Sequence, residues 1–416
     1  MVVAVVGVGW DFTLTGLLLD DPHAPKRATA TTKPATMVRM ARGYARFTRR
    51  GWGERTHVRF NPLHWPAVSD APLRWKLADE TGGQGAFFTD DELVERHVGS
   101  GEFRGLEFLH VNARRIINEI PAAAQLPFKF TINVYRGCSH ACTYCFARPT
   151  HEYLGLDIGQ DFERRLVVKV NAVERLRAEL RSPKWTGDHI AMGTNTDPYQ
   201  RCEGKYHLTQ GVLKALADAR NPFSILTKST LILRDLDLLK WAATRTTVRA
   251  NFSIGTLDEE VWKASEPGTP HPRRRVEAVR KLNEAGIPCG VLVAPILPGL
   301  SDRPDQVQAV VKACVAAGAV SLAAIPLHLR PGVRDHYLTW LAGYRPDLVA
   351  DHKRRYRSSY LPVNDRKALA ALVHRTIREA GGLAVDPTET RLPGDTPSRA
   401  VSADLEPQSE QLGLGV

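Results

Sequence analysis

The fold is decided by an alternating segment that runs into a loop with three cysteines: Phe128-Lys129-Phe130-Thr131-Ile132-Asn133-Val134, then Tyr135-Arg136-Gly137-Cys138-Ser139-His140-Ala141-Cys142-Thr143-Tyr144-Cys145-Phe146-Ala147-Arg148. In the first part, apolar and polar residues alternate with a period of two, which predicts a β-strand. In the second part, the cysteines have the spacing C-x3-C-x2-C. The predicted strand therefore leads directly into three sulfur ligands.

Further apolar runs follow at intervals typical of strands separated by helices. These predicted strands are His189–Met192, Phe223–Leu226, Val248–Ile254, Cys289–Ile296 and Val320–Ile325. Between them lie helical patterns: Pro272 begins one helix and Gly286 ends it, and Thr209 is the predicted N-cap of another. The alternation predicts right-handed βαβ units and a parallel sheet. The predicted fold class is α/β, an incomplete six-unit relative of the eight-fold β/α barrel, with its chemistry at the carboxyl ends of the strands.

The flanking segments differ from this core in composition. Residues 1–73 carry ten Lys and Arg against five acidic residues and show no sustained period, which predicts a poorly ordered basic extension. The tail is polar and rich in Pro and Gly, which predicts disorder. The predicted organisation is an irregular N-terminal extension (1–73), a small lead-in segment (74–127) that is β-rich around Phe103–Val111, the core barrel (128–330), a C-terminal helical segment (331–384) and a disordered tail (385–416).

Composition excludes several classes of protein. Hydrophobic residues make up 43% and charged residues 24%, as in globular proteins. The chain has no run of 18 apolar residues, which argues against a membrane-spanning helix. The apolar start has no basic region before it, which argues against a secretory signal and predicts a cytoplasmic protein. A net charge of +11 suits a nucleic-acid partner, although nearly half of the excess lies in residues 1–73.

The cysteines indicate a metal site in a reducing compartment rather than a set of disulfides. Three thiolates on one tight loop can hold three corners of an iron–sulfur cubane and leave the fourth iron open. A zinc site is the alternative, because His140 or Cys202 would complete a tetrahedron, although no second C-x2-C pair is present. Cys289 and Cys314 lie on apolar faces and are predicted core residues.

These residues resemble the radical S-adenosylmethionine (SAM) superfamily, which carries C-x3-C-x-aromatic-C after the first strand of a β/α barrel. Within it, the chain is similar to the spore photoproduct lyase-like branch, often labelled "DNA repair photolyase". It is most similar to an actinobacterial radical SAM subfamily of undefined substrate. The likeness covers roughly residues 105–365. The matching stretches are Tyr135–Tyr153, Gly193–Gln200, Leu226–Ser229, Arg234-Asp235, Ala294–Pro298 and Leu327–Arg330.

The resemblance implies a partial (β/α)6 TIM-like radical SAM barrel with a [4Fe-4S] cluster and S-adenosyl-L-methionine as cofactors. It implies reductive cleavage of SAM to a 5′-deoxyadenosyl radical, with a reductant such as a flavodoxin or ferredoxin. A nucleic-acid substrate follows from the DNA repair photolyase likeness. The alternatives are a radical SAM enzyme that acts on a peptide or small metabolite, and a non-catalytic zinc-stabilised binding module.

Site residues follow from the resemblance position by position. The implied metal ligands are Cys138, Cys142 and Cys145. The implied cofactor-binding residues are Tyr144, near the adenine; Gly193, Thr194 and Asp197, for the SAM amino group; and Thr227, Lys228 and Ser253, for the methionine carboxylate or ribose. The alternative for the later positions is that they are ordinary turn residues at strand ends.

One departure from the branch concerns the hydrogen donor. Spore photoproduct lyases use a cysteine at the end of the second strand, and the corresponding stretch here, Gly193–Asp197, has none. Cys202 and Tyr199 are the candidate catalytic residues in this region, and an incidental cysteine is the alternative. Relatives begin near a Met-Arg-Trp sequence that resembles Leu73-Arg74-Trp75. This predicts that residues 1–73 are an upstream extension, either lineage-specific or a start-site error.

Two basic runs are candidate anion contacts. His271 and Arg273–Arg275 open a predicted helix, where an anionic substrate or a solvated helix start would explain them equally. Lys353–Arg357 interleaves with the aromatic residues Tyr356 and Tyr360, an arrangement that suits phosphate binding and base stacking. A surface helix with extended arginine stems is the alternative for this second run.

Overall fold

In the computed structural model of the protein, the described residues are 93–121 and 126–383. The predictions for the basic extension and for the C-terminal tail fall outside these residues, as do residues 74–92 and 122–125 of the lead-in segment. The chain divides into two units; the described residues belong to one, and the other, Asp20–Ala71, lies outside them. No helix among the described residues is long and apolar enough to cross a membrane.

The strands of the described residues form two sheets. They are β1 (Leu93–Val98), β2 (Glu107–Val111), β3 (Ile117–Glu119), β4 (Phe130–Ile132), β5 (Tyr135–Arg136), β6 (Arg165–Lys169), β7 (Ile190–Met192), β8 (Phe223–Thr227), β9 (Val248–Ser253), β10 (Cys289–Ile296) and β11 (Leu322–Pro326).

The larger sheet has the order β11-β10-β9-β8-β7-β4-β3. From β4 to β11 every neighbouring pair is parallel, and only β3 runs antiparallel to its neighbour β4. The predicted α/β fold is thereby confirmed: all six predicted strands are present, in sequence order and parallel. The sheet has two free edges, so it forms a partial barrel, and its carboxyl ends converge on one side.

The smaller sheet was predicted only in part: β2 lies in the stretch Phe103–Val111 that was expected to be β-rich, and its other strands were not predicted. Its order is β1-β2-β6-β5, with β2 and β6 parallel and the two outer pairs antiparallel. Four of its residues, Arg165–Val168, are at most 1% exposed, and the run Leu-Val-Val at its centre is too short to distinguish a strand from a buried helix by periodicity. This sheet matters for the site because β5 leads directly into Gly137 and the cysteine loop.

Eleven α-helices lie among the described residues. They are α1 (Gln160–Arg164), α2 (Ala172–Leu180), α3 (Glu203–Tyr206), α4 (Leu208–Asp218), α5 (Leu236–Ala243), α6 (Glu259–Ser265), α7 (Pro272–Glu284), α8 (Pro304–Ala316), α9 (Val333–Tyr344), α10 (Val349–Arg355) and α11 (Val363–Glu379).

Two of the three predicted helix boundaries are right. Helix α7 begins at Pro272, and Gly286 follows its end with a φ of +79°. The prediction that Thr209 caps a helix is wrong, because α4 begins one residue earlier, at Leu208, and Thr209 lies inside its first turn. There its hydroxyl donates to the Pro198 carbonyl oxygen at 2.6 Å instead of capping the helix. The local sequence pattern predicted that the Thr209 side chain caps the helix, but in the structure it makes a tertiary hydrogen bond to Pro198 instead.

Cys289 and Cys314 are fully buried in the main hydrophobic core, as predicted for small apolar residues. Close approach at the carboxyl edge of the sheet is set by Gly193, which follows β7 with a φ of +85°. A Cβ atom at this position would lie 1.9 Å from the carbonyl oxygen of Leu226. Only glycine allows the turn after β7 to pack this closely on the end of β8.

Candidate active site

The cysteine loop begins with a turn that only glycine can make. Gly137 has a φ of +75°, and a Cβ atom there would lie 2.8 Å from the carbonyl oxygen of Phe162. The amide of Cys138 then donates to the same Phe162 oxygen at 2.9 Å. The chain turns again at Ala141, with a φ of +54°. The backbone between the first two predicted ligands is thus fixed by short-range geometry and by one contact with the segment before β6.

The three predicted ligands are shielded from solvent. Cys138 and Cys142 are each 7% exposed, and Cys145 is half-buried. Burial raises the pKa of all three thiols, to about 12 for Cys142. Because thiolates rather than thiols bind metal, these groups need a bound cation to lose their protons at neutral pH.

Arg148 holds the middle of the loop from beneath. Its side chain is fully buried, and its Nε and Nη2 atoms both donate to the carbonyl oxygen of Cys142, at 3.0 and 2.8 Å. Its Nη1 atom donates to the carbonyl oxygens of Ile158 and Gly159, and Glu163 forms its ion pair. The buried guanidinium of Arg148 therefore donates most of its hydrogen bonds to backbone oxygens. These bonds fix the loop, and Arg148 itself is not a metal ligand.

Gln200 holds the start of the loop. Its Oε1 atom accepts from the amide of Ser139 at 2.9 Å, and its Nε2 atom donates to the carbonyl oxygen of Gly137 at 3.1 Å. Thr196 adds a second donor to the same carbonyl oxygen, at 2.7 Å. Both residues lie in the stretch after β7, so the end of that strand positions the cysteine loop.

Asp197 joins the ends of neighbouring strands. One carboxylate oxygen accepts from the Thr227 hydroxyl at 2.7 Å, and the other accepts from the amide of Lys228 at 2.7 Å. The first oxygen also accepts from the amide of Tyr199, and the His140 Nδ1 atom lies 3.4 Å from the second. The carboxylate therefore connects the loop after β7, the end of β8 and the cysteine loop.

Glu266, which was not predicted, is the centre of a buried charge network. Tyr144 donates its hydroxyl to Glu266 Oε1, and Lys228 Nζ lies 3.0 Å from the same oxygen. Arg275 Nη2 lies 2.5 Å from the other oxygen, Oε2. Arg275 also donates to the backbone oxygen of Ser253 at 3.1 Å. Three side chains from different parts of the chain therefore meet on one carboxylate.

The protonation state of Glu266 follows from these contacts. Burial alone would raise its pKa, but the charges of Arg275 and Lys228 and the hydrogen bonds from Tyr144 and Arg275 outweigh burial. They hold the pKa of Glu266 at about 2. The carboxylate is thus ionised at every physiological pH, and it remains available as an acceptor for Tyr144 and Lys228.

The segment around Glu266 packs directly against the cysteine loop. The amide of Thr143 donates to the Ser265 oxygen at 3.0 Å, and the amide of Gly268 donates to the His140 oxygen at 3.0 Å. A Cβ atom on Gly268 would lie 2.1 Å from the backbone oxygen of Ser139. The contact is therefore backbone against backbone, and it keeps the charge network beside the cysteines.

A cavity of about 620 Å³ opens beside His140 at the carboxyl side of the sheet. Its lining comes from the cysteine loop and from the segments after β7, β8 and β9: His140, Tyr199, Arg201, Ser229, Thr230, Leu231, Arg234 and Pro267–Pro270. Its volume is within the range of small-molecule and cofactor sites, about 300–1,000 Å³. The placement is the one that β/α folds use for catalysis.

Comparison with known proteins identifies the family. Residues 132–310 match the family described as the Radical SAM superfamily. An uncharacterized protein of Mycobacterium tuberculosis is 44% identical over 299 residues, which cover 71% of this chain and 88% of that protein. An uncharacterized protein of Methanocaldococcus jannaschii is 32% identical over 199 residues, 47% of this chain and 70% of that protein. The chain belongs to the radical SAM superfamily.

Radical SAM proteins are enzymes that use a [4Fe-4S] cluster and SAM, which are therefore the cofactors of this chain. These enzymes also need an external reductant. Among solved structures, spore photoproduct lyase complexed with dinucleoside spore photoproduct has a TM-score of 0.48 and 18% identity to the chain. The match covers 66% of this chain and 79% of that one. This likeness carries no argument about the substrate.

The cysteine sulfurs of the loop do not lie at the spacing of ligands to a single zinc ion. Zinc–sulfur bonds of about 2.3 Å would bring tetrahedral sulfur ligands to about 3.8 Å from one another. Among the residues that the structure describes, Glu95, His97 and His110 are the trio of His, Cys, Asp or Glu whose ligand atoms all lie within 4.8 Å. The three cysteines do not meet that spacing, whereas a cubane attaches each thiolate to a different iron and separates them further.

The structure brings most of the predicted cofactor-binding residues together. Tyr144 and Lys228 meet on Glu266, and Asp197 links Thr227 to the backbone of Lys228. Ser253 joins this group through its backbone oxygen, which Arg275 contacts. Thr194 lies at the same edge, where the Asn133 side chain donates to its hydroxyl at 3.4 Å.

The two candidate catalytic residues lie in different surroundings. Tyr199 contributes to the cavity lining, although its side chain is fully buried and its hydroxyl donates to Asp235 at 3.1 Å. Burial, followed by the charge of Asp235, raises its pKa well above the usual value. Cys202 is also fully buried, but it lies in the main hydrophobic core at the start of α3. Burial raises the pKa of its thiol.

Each basic run has members that are engaged within the protein and members that are exposed to solvent. Tyr356 is fully buried and donates its hydroxyl to the Leu327 oxygen at 2.9 Å, so it does not offer a face for base stacking. Arg355 lies within 4 Å of three carboxylates, those of Asp302, Asp351 and Asp365. In the other run, Arg273 and Arg274 are exposed, whereas Arg275 is the buried partner of Glu266.

Three residues important to the site were missed as functional residues: Glu266, Arg148 and Gln200. The latter two stand inside the motif stretches, but no pattern showed that their side chains turn back to backbone oxygens of the loop. Glu266 follows α6 in a Glu-Pro-Gly turn, which reads as an ordinary loop. Its one signal was the basic triplet nine residues later, whose buried member needs a carboxylate partner.

Proposed function

We propose that Cys138, Cys142 and Cys145 hold the [4Fe-4S] cluster and that the chain acts on a nucleic-acid or nucleotide-like substrate in the adjacent cavity. The observation that carries the proposal is the cysteine loop itself, which is rigidly held at the carboxyl side of the parallel sheet, next to a cavity of about 620 Å³. When bound, the cluster supplies the electron that splits SAM into methionine and a 5′-deoxyadenosyl radical, which abstracts a hydrogen atom from the substrate.

The protein's own contribution is to position the cysteine ligands and to shield the reactive centre from water. Arg148 and Gln200 fix the loop through backbone oxygens, so the three thiols keep their spacing as iron binds. Metal ligands that are held in this way typically lose affinity about 10–100-fold when the supporting contact is removed. The low exposure of Cys138 and Cys142 excludes water from the reactive centre.

Glu266 organises the proposed SAM side of the site. It accepts from Tyr144, the proposed adenine contact, and from Lys228, a proposed contact of the methionine carboxylate or ribose. The Lys228 Nζ atom lies 5.7 Å from the centre of the Tyr144 ring and 3.3 Å from the Ala294 carbonyl oxygen. The Glu266 carboxylate thus fixes the distance between Tyr144 and Lys228, which would contact different parts of SAM.

Asp197 contributes by shaping the loop that would bind the SAM amino group. Its carboxylate already accepts hydrogen bonds from the Thr227 hydroxyl and from the amides of Lys228 and Tyr199. With these acceptor sites occupied, Asp197 holds the turn after β7, and the half-buried residues Gly193 and Thr194 remain to contact the cofactor.

The substrate class rests on charge and size. Arg201 is exposed in the cavity lining, Arg234 lines the cavity while pairing with Glu203 and Asp235, and the chain carries a net charge of +11. Cationic residues around a pocket of this size suit a phosphate-bearing ligand. A flavodoxin or ferredoxin is the proposed electron donor.

The test of the cluster assignment is anaerobic reconstitution of the full chain with iron and sulfide. The proposal predicts about four irons per chain and absorbance at about 400 nm. It also predicts 5′-deoxyadenosine formation after reduction by dithionite. Stoichiometric zinc with no SAM cleavage would instead support the zinc-stabilised module.

The test of the substrate class uses a panel of single- and double-stranded oligonucleotides, dinucleotides, peptides and small metabolites. We expect nucleic acid to stimulate 5′-deoxyadenosine formation and to bind with an affinity that falls as salt rises. Arg201→Gln should weaken this binding, whereas Arg181→Gln, a surface change outside the cavity lining, should not. Stimulation by a peptide or metabolite alone would overturn the nucleic-acid proposal and leave the radical chemistry standing.

A further inference from the structure

A second cluster of ligand-type side chains lies on the hairpin of β1 and β2. Glu95 and His110 are directly opposite each other in the antiparallel register, and His97 is two residues along the same strand as Glu95. In a strand, residues two apart point to the same face, and so do residues paired across an antiparallel ladder. The register therefore places one carboxylate and two imidazoles on one face.

The ligand atoms are close enough to share one ion. Glu95 Oε2 lies 2.8 Å from His97 Nε2 and 3.8 Å from His110 Nδ1. The two imidazole rings lie 4.3 Å apart, and all three ligand atoms are within 4.8 Å of one another. Bonds of about 2.0–2.2 Å from zinc to nitrogen and oxygen place tetrahedral ligands about 3.3 Å apart, in the middle of these distances.

His110 is held in the orientation that a metal ligand needs. Its other ring nitrogen, Nε2, lies 2.8 Å from the Tyr206 hydroxyl, and the two rings meet edge to face. When Nε2 carries the proton and donates it to Tyr206, the lone pair of Nδ1 faces Glu95. Histidine ligands of metals almost always have such a partner on the second nitrogen.

The cluster is also accessible and chemically selective. The side chains of Glu95, His97 and His110 are 56%, 38% and 13% exposed, so an ion can enter from solvent and keep a water molecule as its fourth ligand. Two imidazoles and one carboxylate favour zinc and neighbouring transition cations over calcium or magnesium, which prefer oxygen ligands. Lys205, whose Nζ lies 5.4 Å from the centre of the Tyr206 ring, is a nearby positive charge that weakens binding.

We propose that Glu95, His97 and His110 form a binding site for one divalent transition cation, with zinc as the reference ion, separate from the cysteine loop. The ion would tie β1 to β2 and, through Tyr206, to α3. Because β2 pairs with β6 and β6 with β5, the site lies on the sheet whose last strand enters the cysteine loop. The proposal does not depend on the radical SAM chemistry.

The test is zinc binding by the full chain with its iron–sulfur cluster in place, so that the loop cysteines are occupied. Isothermal titration under anaerobic conditions should show one zinc site in the parent protein. His97→Ala and Glu95→Gln should each weaken it about tenfold or more, and Tyr206→Phe by a smaller factor. The matched control is Glu119→Gln, the same change at an exposed strand residue of another hairpin, which should leave the affinity unchanged.

The outcomes separate a metal site from a structural contact. Circular dichroism first shows that each variant keeps its fold, and iron content shows that the cluster is retained. Added zinc should raise the melting temperature of the parent and of Glu119→Gln but not of His97→Ala. Lys205→Gln should strengthen zinc binding, because it removes an opposing charge. Equal zinc affinity in the parent, His97→Ala and Glu95→Gln, or no zinc uptake by the parent, would overturn the proposal.

Discussion

Five of the six cysteines of this chain are buried, yet they belong to two different groups. Cys138 and Cys142 are 7% exposed in the loop, and Cys202, Cys289 and Cys314 are 0% exposed in the core. Burial is the largest cause that raises the pKa of every one of these thiols. Their neighbours differ instead.

The loop cysteines lie among fixed charges, whereas Cys289 and Cys314 lie among apolar side chains; Cys202 is intermediate, because the buried carboxylate of Glu203 is its neighbour. Lys228 and Glu266 act on Cys142, and Arg148 acts on Cys145. Cys289 and Cys314 have mainly each other and the aliphatic core as neighbours. A buried thiol is a candidate metal ligand when charged or polar groups with fixed positions surround it. The exposed fraction of the thiol does not by itself distinguish such a ligand from a core cysteine.

The largest expected effect is a difference in SAM cleavage between two variants, each of which lacks one cysteine of one group. Cys142→Ala should reduce SAM cleavage to background and lower the iron content after anaerobic reconstitution. Cys314→Ala should retain both, and should lower the free energy of unfolding by about 1–2 kcal/mol because it leaves a small cavity. Iron content and 5′-deoxyadenosine yield are measured on both variants in parallel. Full SAM cleavage by Cys142→Ala would break the comparison.

Next in size is the loss of the Glu266 charge. Glu266→Gln leaves Arg275 and Lys228 buried without their carboxylate, which should lower the free energy of unfolding by about 3 kcal/mol. It should also lower SAM cleavage about 10–100-fold through Tyr144 and Lys228. The matched control is Glu277→Gln, a solvent-accessible glutamate paired with Arg280, for which little or no change in the free energy of unfolding is expected. If Glu266→Gln and Glu277→Gln changed SAM cleavage and the free energy of unfolding equally, Glu266 would have no special role in the site.

The stabilisation by Glu266 should depend on pH with a defined sign. Its pKa is about 2 in the folded protein against an ordinary value of 4.5, so its contribution is fully present above about pH 4.5. That contribution is lost as the pH falls through the range from 4.5 toward 2. Urea unfolding of the parent and of Glu266→Gln should therefore differ most at neutral pH and converge in acid. A difference that grows on acidification would contradict this assignment.

A smaller effect is expected when the support of the loop is weakened without removing charge. Arg148→Lys keeps a cation but loses the paired donors to the Cys142 carbonyl oxygen. We expect the cluster to be lost about tenfold faster to an iron chelator. Arg181→Lys, an exposed arginine on the surface, is the control. Unchanged cluster loss in Arg148→Lys would show that the loop holds its shape without this contact.

The smallest effect on SAM cleavage is expected for Cys202→Ala. Its position in the core predicts a loss of about 1–2 kcal/mol in the free energy of unfolding. 5′-Deoxyadenosine formation should stay within about twofold of the parent. Rates are compared at a temperature where both proteins are folded. A large loss of turnover with intact folding would make Cys202 a catalytic residue and break the division between the two groups of cysteines.

The fold was predictable to a large extent because the strands of a buried parallel sheet are short apolar runs at regular intervals. All six were found from periodicity, and the helix that begins at Pro272 was found from its proline. The strand Arg165–Lys169 was missed because its polar ends and short apolar centre carry no period. The strand pairing that supports the cysteine loop was therefore missed as well.

The sequence by itself determined the cysteine spacing, the order of strands and helices, and the glycines at the tight turns, since these are local properties of neighbouring residues. Only the tertiary structure decided which carboxylate meets Lys228 and Arg275 and which guanidinium supports the Cys142 carbonyl. It alone placed Cys202 in the core, and it alone joined Glu95, His97 and His110. Such contacts arise between residues far apart in the chain, and their distances are fixed by packing, which no local pattern encodes.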